Sequence, residues 1–153
     1  HMMHGLVEER LLAAVGFIAN AEAAYEVTME YIRERHAFGQ PIAAFQNTRF
    51  KMADMRTEID VAQAFVDQCV LQHNAGKLSA EDAAKAKLFT SELEGRVTDE
   101  CVQLHGGAGY MDEYPISRMF TAARVSRIYA GSSEIMREII ARSIGLDPRK
   151  AGA

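Results

Sequence analysis

Three prolines, at positions 41, 115 and 148, are the strongest constraint on how this 153-residue chain can fold. Each stands between runs of helical spacing, and none interrupts one. A proline inside a helix removes a backbone donor and clashes with the preceding turn, so the intervals between these prolines are free to be long helices. From Val7 to about Arg33, apolar residues recur with helical spacing at Leu11, Leu12, Val15, Ile18, Ala19, Ala23, Val27 and Ile32. Phe38-Gly39-Gln40-Pro41 is the expected turn that follows. A second helix is expected from about Phe45 to His73 through Phe50, Met52, Met55, Ile59, Ala62, Phe65, Val66, Cys69 and Val70, ending at Asn74-Ala75-Gly76. Ser79, followed by Glu81 and Asp82, caps a third helix that reaches about His105 through Ala83, Ala86, Leu88, Leu93, Val97 and Leu104. A short helical piece near Ile116–Ala123 and a final helix from Ser133 to about Ile144 complete the chain. Strand signals are nearly absent. The expected fold is all-α, a four-helix up-and-down bundle of long helices joined by short links.

Length bounds the molecule to one domain with room for a sizeable core. A formal charge of −4 and the lack of any basic run argue against a nucleic-acid surface. No apolar stretch approaches the length of a membrane span. No secretory pattern opens the chain. Residues 1–4 read as a tag remnant with a disordered start, 5–145 as the bundle, and 146–153 as a flexible tail. Cys69 and Cys101 lie inside helical patterns without metal-ligand spacing, which reads as reduced core thiols of a cytoplasmic protein and provides no metal site.

Two glycine clusters stand out against this helical background. The first is Gln103-Leu104-His105-Gly106-Gly107-Ala108-Gly109-Tyr110, at a helix end where glycine allows a left-handed cap. The second is Ile128-Tyr129-Ala130-Gly131-Ser132-Ser133-Glu134-Ile135, a helix entry with hydroxyls and free N–H groups. A helix end and a helix start of this kind can line a site for a phosphate-bearing ligand. On spacing alone, both also read as ordinary turns of a bundle. His105 reads as a packed helix-end histidine, and Tyr110 and Tyr129 as packing residues.

Together with Glu113-Tyr114-Pro115 and with Arg35-His36-Ala37-Phe38-Gly39-Gln40-Pro41-Ile42 followed by Gln46, these clusters resemble the C-terminal signature of the acyl-CoA dehydrogenases. The resemblance runs from about Gly5 to Gly145 and is nearest to the long-chain and isovaleryl branches. It implies a helical bundle domain, the cofactor FAD, and oxidation of a saturated acyl-CoA to the trans-2-enoyl-CoA. It further implies electron transfer to an electron-transferring flavoprotein and assembly as a homodimer or homotetramer. The N-terminal helical and middle β-domains of the family have no counterpart in the chain, so the chain alone is expected to be inactive.

The resemblance also implies roles for particular residues. The chemistry needs a base for the proton beside the thioester carbonyl, and a carboxylate partly stripped of water by substrate suits that task. Many members place a glutamate directly before the glycine of the second cluster, where this chain has Ala130. The long-chain and isovaleryl branches carry the base on the first helix, before an arginine, which matches Glu9-Arg10. Glu9 is therefore the expected base and Arg10 the residue ordering the acyl-CoA end of the pocket. The Ala130 N–H, with Gly131 beside it, is the expected donor to the thioester carbonyl. Arg35, Phe38, Gln46, Gln103, Gly106 and Gly107 match positions that contact the FAD of a neighbouring subunit. Ser132 and Glu134 match positions beside the subunit's own FAD. Read without the family, Glu8 and Glu9 are first-turn acids favoured by the helix dipole, and Arg10 pairs with Glu8 or Glu26. The rival from another functional class is a non-catalytic oligomerisation module without flavin. A flavoenzyme of the same fold with other chemistry, such as a nitroalkane oxidase, is disfavoured by Glu9-Arg10.

Overall fold

The computed structural model describes residues 2–150. The expected cloning remnant at His1 and the last three residues of the tail lie outside the described residues. Helix α1 spans Met2–Glu34, α2 Gln46–Asn74, α3 Ala80–His105, α4 Pro115–Val125 and α5 Ser133–Ser143. The all-α bundle reading holds, with three long helices and a last layer delivered in two short ones. Helix α3 is the hub: it packs on α1, α2, α4 and α5. Because α1 is helical from Met2, residues 2–4 extend that helix and do not form an irregular start. At the other end, residues 148–150 form a 3-10 turn, and the buried Asp147 pairs with Arg149 at 2.8 Å. No helix among the described residues is long and apolar enough to cross a membrane.

Local chemistry explains the breaks. The α1–α2 link is a two-residue hairpin, with His36 opposite Pro41 and Ala37 opposite Gln40. Phe38 (φ 53°) and Gly39 (φ 80°) both adopt the left-handed region, as a tight turn matched to strand twist requires. Pro41 thus stands in the second strand, one step beyond the turn expected to contain it. Ser79 caps α3 by accepting the Asp82 N–H at 2.9 Å. Pro115 opens α4 at a position where its missing N–H costs nothing.

The main core gathers Ile18, Ile32, Met55, Ile59, Leu93, Val97, Cys101 and Ile116 from four helices. Ala14, Ala21 and Ala24 of α1 and Ala83, Ala84 and Ala86 of α3 are all fully buried, and α1 and α3 pack on each other. Small side chains at a helix crossing let the two axes approach closely. Of the expected apolar positions, Leu12, Val15, Phe50 and Phe65 face outward, while Ala14 and Phe17 are the buried neighbours. Both thiols are free and buried, and burial pushes the Cys101 thiol up to about 11.

Candidate functional site

After α4, the chain turns through residues 126–132 before α5 begins. Ala130 adopts φ 55° and Gly131 φ 92°. A left-handed conformation is unusual for a residue carrying a Cβ and points to a constrained turn. The positive φ at Gly131 favours glycine; a Cβ there would also lie 2.6 Å from Met136 Cε, the mobile end of a side chain that can give way. The turn is closed by Ser133 N–H donating to the Arg127 carbonyl at 3.1 Å. Ser132 caps α5, its Oγ accepting from Ile135 N–H at 3.4 Å, and Glu134 stands in the first turn. Its own backbone N–H and the Ser132 hydroxyl hold the Glu134 carboxyl below the usual glutamate range. The N–H groups of Ala130, Gly131 and Ser132 find no acceptor among the described residues. A short stretch of backbone therefore carries donors with no partner among the described residues, which suits an oxygen bearing partial negative charge.

Helix α1 runs beside this turn. The Phe17 ring meets the Tyr129 ring edge-on, with centroids 5.7 Å apart. Arg10 lies two turns before Phe17 on the same stripe of α1. It is partly buried, and its Nε has no acceptor among the described residues. The expected competing ion pair of Arg10 with Glu8 or Glu26 is not formed. Glu9 is exposed, and among the described residues no hydrogen bond or ion pair engages its carboxylate. The helix-dipole account of Glu8 and Glu9 fails for a simple reason: α1 starts at Met2, and its first turn contains no acid.

The first glycine cluster forms a separate groove of about 570 Å³, lined by Tyr31, Arg35, Gln103, Gly106, Gly107 and Tyr114 among others. Gly106 ends α3 with φ 62°. Gly107 has no left-handed φ, and a Cβ there would meet nothing within 4 Å, so nothing inside the chain demands glycine at that position. Gly109 is the packed one, since its Cβ would lie 2.6 Å from the Val102 carbonyl oxygen. His105 is buried as expected. Its Nδ1 lies 2.8 Å from the Cys101 carbonyl, so Nδ1 carries the proton, and its ring stacks on Tyr31 at 4.2 Å. Burial holds its proton affinity below that of ordinary histidine, so the ring is neutral at pH 7.

The structure thus sorts the expected site residues into groups. Arg35, Gln103, Gly106 and Gly107 share the groove. Phe38 and Gln46 do not line it: Phe38 is 98% exposed at the hairpin tip, edge-on to Phe45, and Gln46 opens α2. Ala130, Gly131, Ser132 and Glu134 share the turn and the start of α5. Tyr110 departs from expectation. It is 86% exposed, at the end of the 3-10 turn Gly106–Tyr110 that follows α3. Tyr129 packs in part, through Phe17. Among the described residues no cluster of metal-ligating side chains occurs. Sequence reading missed Phe17 and Lys87, both buried beneath the turn. Their signal was a position on the inward stripe of a helix, which a lysine there obscures.

Comparison with known proteins identifies the family. Residues 1–145 match the model of the family described as acyl-CoA dehydrogenase, C-terminal domain. The rat (Rattus norvegicus) mitochondrial long-chain specific acyl-CoA dehydrogenase is 46% identical over 96% of this chain and 34% of its own length. An acyl-CoA dehydrogenase from Geobacillus kaustophilus superposes with a TM-score of 0.93 at 41% identity, covering 95% of this chain and 38% of that one. A glutaryl-CoA dehydrogenase from Mycobacterium smegmatis in complex with FADH2 superposes with a TM-score of 0.89 at 25% identity, over 93% and 37% of the two chains. The chain spans about a third of the length of the curated relatives it matches. It belongs to the acyl-CoA dehydrogenase family, and what it contains is that family's C-terminal helical domain.

Proposed function

We propose that this chain is the C-terminal domain of an FAD-dependent acyl-CoA dehydrogenase that oxidises a saturated acyl-CoA to the trans-2-enoyl-CoA, in fatty-acid or branched-chain acyl-CoA breakdown. The observation that carries the reading is the Ala130 turn, a left-handed non-glycine residue whose N–H has no acceptor among the described residues, beside the helix that bears Glu9 and Arg10. The Ala130 N–H donates to the thioester carbonyl, where negative charge grows as the neighbouring carbon loses its proton. Glu9 takes that proton, a task the methyl group of Ala130 cannot perform. Arg10 orders the polar end of the acyl-CoA, its guanidinium fork suited to oxygen ligands.

The residues also fit the cofactor. The groove combines the Arg35 guanidinium with exposed backbone at Gly106 and Gly107, and at Gly107 the glycine has no use inside the chain. That combination suits a pyrophosphate and its adenosine end. In this reading Arg35, Gln103, Gly106 and Gly107, with Phe38 and Gln46 nearby, hold the FAD of a neighbouring subunit, while Ser132 and Glu134 face the subunit's own. FAD, when bound, supplies the hydride acceptor for the second half of the oxidation. Electrons pass on to an electron-transferring flavoprotein. The rest of the flavin site belongs to the remaining two thirds of the enzyme, so this chain alone does not turn over substrate. We place the enzyme in the cytoplasm, in keeping with its two free thiols.

The test is Glu9→Gln in the whole flavoprotein that contains this chain. Turnover is expected to fall by roughly three orders of magnitude with flavin absorbance intact. Unchanged turnover removes Glu9 from the mechanism. A colourless wild-type protein without flavin supports the rival reading, a module that only associates.

A further inference from the structure

Lys87 sits in the first third of α3 with none of its surface exposed, the largest fully buried side chain among the described residues. Burying an ammonium is expensive unless its donors are met. Among the described residues no carboxylate forms an ion pair with it, the nearby Glu92 pairing instead with Arg127 and Arg137. Instead Nζ donates to the Ser126 carbonyl at 2.9 Å and to the Gly131 carbonyl at 2.6 Å. The Phe17 ring lies on a further side, its centroid 5.9 Å from Nζ. Burial pulls the lysine's proton affinity below its ordinary value, with Glu92 opposing that shift and Arg10 adding to it.

The two carbonyls mark the two ends of the turn that carries Ala130. Its middle is held from the side, where Phe17 of α1 meets Tyr129. A left-handed alanine persists only where its surroundings over-determine it. Here one ammonium ties both ends of the turn to α3, and the same ammonium leans on a ring of α1. We propose that Lys87 is a positioning residue: it clamps the Ser126–Gly131 turn so that the Ala130 N–H stays aimed at the substrate carbonyl. It touches neither substrate nor cofactor and acts through the backbone. The inference rests on the acyl-CoA dehydrogenase reading for its consequence, and on the hydrogen bonds alone for the clamp.

Lys87→Met keeps the length and bulk of the side chain and removes the donors. In the chain itself, the amides that close the turn, Ile128, Tyr129 and Ser133, are expected to exchange hydrogen at least about tenfold faster, while core amides of α1 to α3 stay protected. In the whole flavoprotein, kcat is expected to fall roughly a hundredfold with flavin content and melting temperature retained. The carbonyl stretch of bound enoyl-CoA is expected to rise toward its value in water, a change that a merely structural lysine would not cause. Unaltered exchange in the turn overturns the clamp. Faster exchange with unchanged kcat and carbonyl frequency overturns the positioning role. A wild-type flavoprotein without acyl-CoA turnover defeats the enzyme reading and leaves the exchange result to decide the clamp. Should Lys87→Met not fold, Lys87→Gln carries the same measurements, with intermediate effects expected because its shorter amide can hold one carbonyl.

Discussion

Glu94 occupies a core position of α3 with 3% of its surface exposed. Its Oε1 accepts from Asn20 Nδ2 at 2.7 Å, whereas Oε2 is buried without a partner. Burial raises its proton affinity, partly offset by the neighbouring Ser126 and by the Asn20 hydrogen bond. A carboxyl whose folded-state pKa is raised binds its proton more tightly when folded, so its stabilising contribution is full at low pH. That contribution is lost as pH rises from the ordinary glutamate value through the raised one. Glu94→Gln removes the charge and is expected to be more stable than wild type by on the order of 1 kcal/mol near pH 8, with the gap closing by pH 4. Melting temperatures of both proteins across that range check it, and a gap independent of pH refutes the titration. Glu94 and Lys87 illustrate why individual roles are hard to read in sequence. A charged residue within a helical run looks solvent-facing until the helix phase is known.

At the scale of elements, most of the architecture was legible. Proline positions, the Ser79 cap and the Asn74-Ala75-Gly76 stop place the long helices within a few residues of where they lie. The phase of α1 was less legible: Leu12 and Val15 have the same chemistry as Leu11 and Ile18, so pattern alone cannot say which pair faces α3. Alanines settle it, because Ala14, Ala21 and Ala24 permit the close approach that bulkier faces forbid. Capping is the element-scale quantity open to direct measurement. Ser79 Oγ meets the Asp82 N–H at 2.9 Å at the entrance to the hub helix. Ser79→Ala is expected to lower stability by about 1 kcal/mol. Urea unfolding followed by circular dichroism reads this as an earlier midpoint, and an unmoved midpoint would show that α3 starts without help from the cap.

For the whole molecule, the unburied apolar residues are the informative ones. Phe50, Val61 and Phe65 share one exposed face of α2. A helix face of this kind is ordinarily covered by a partner, and self-association of this chain through α2 follows as an expectation. Val61→Glu places a charge on that face and is expected to weaken association roughly tenfold or more, since an unpaired charge in an apolar contact is costly. Sedimentation velocity over a concentration series measures it, with helicity as the control. A wild-type chain that remains monomeric at high concentration would reject α2 as an interface.

The sequence specifies on its own that the chain is helical, where the long helices lie to within a few residues, and that two glycine-bearing turns follow α3 and α4. Those properties depend on neighbouring residues, through backbone donors, caps and φ preferences, and such short-range physics is written locally. Tertiary structure alone decided which turn residues share a groove. It alone placed Ala130 in a strained conformation with no acceptor for its N–H among the described residues, and put Lys87 rather than an apolar residue beneath that turn. These outcomes depend on how α1, α3 and α4 come together across more than a hundred residues of chain, and no local pattern records where two distant carbonyls will meet one ammonium.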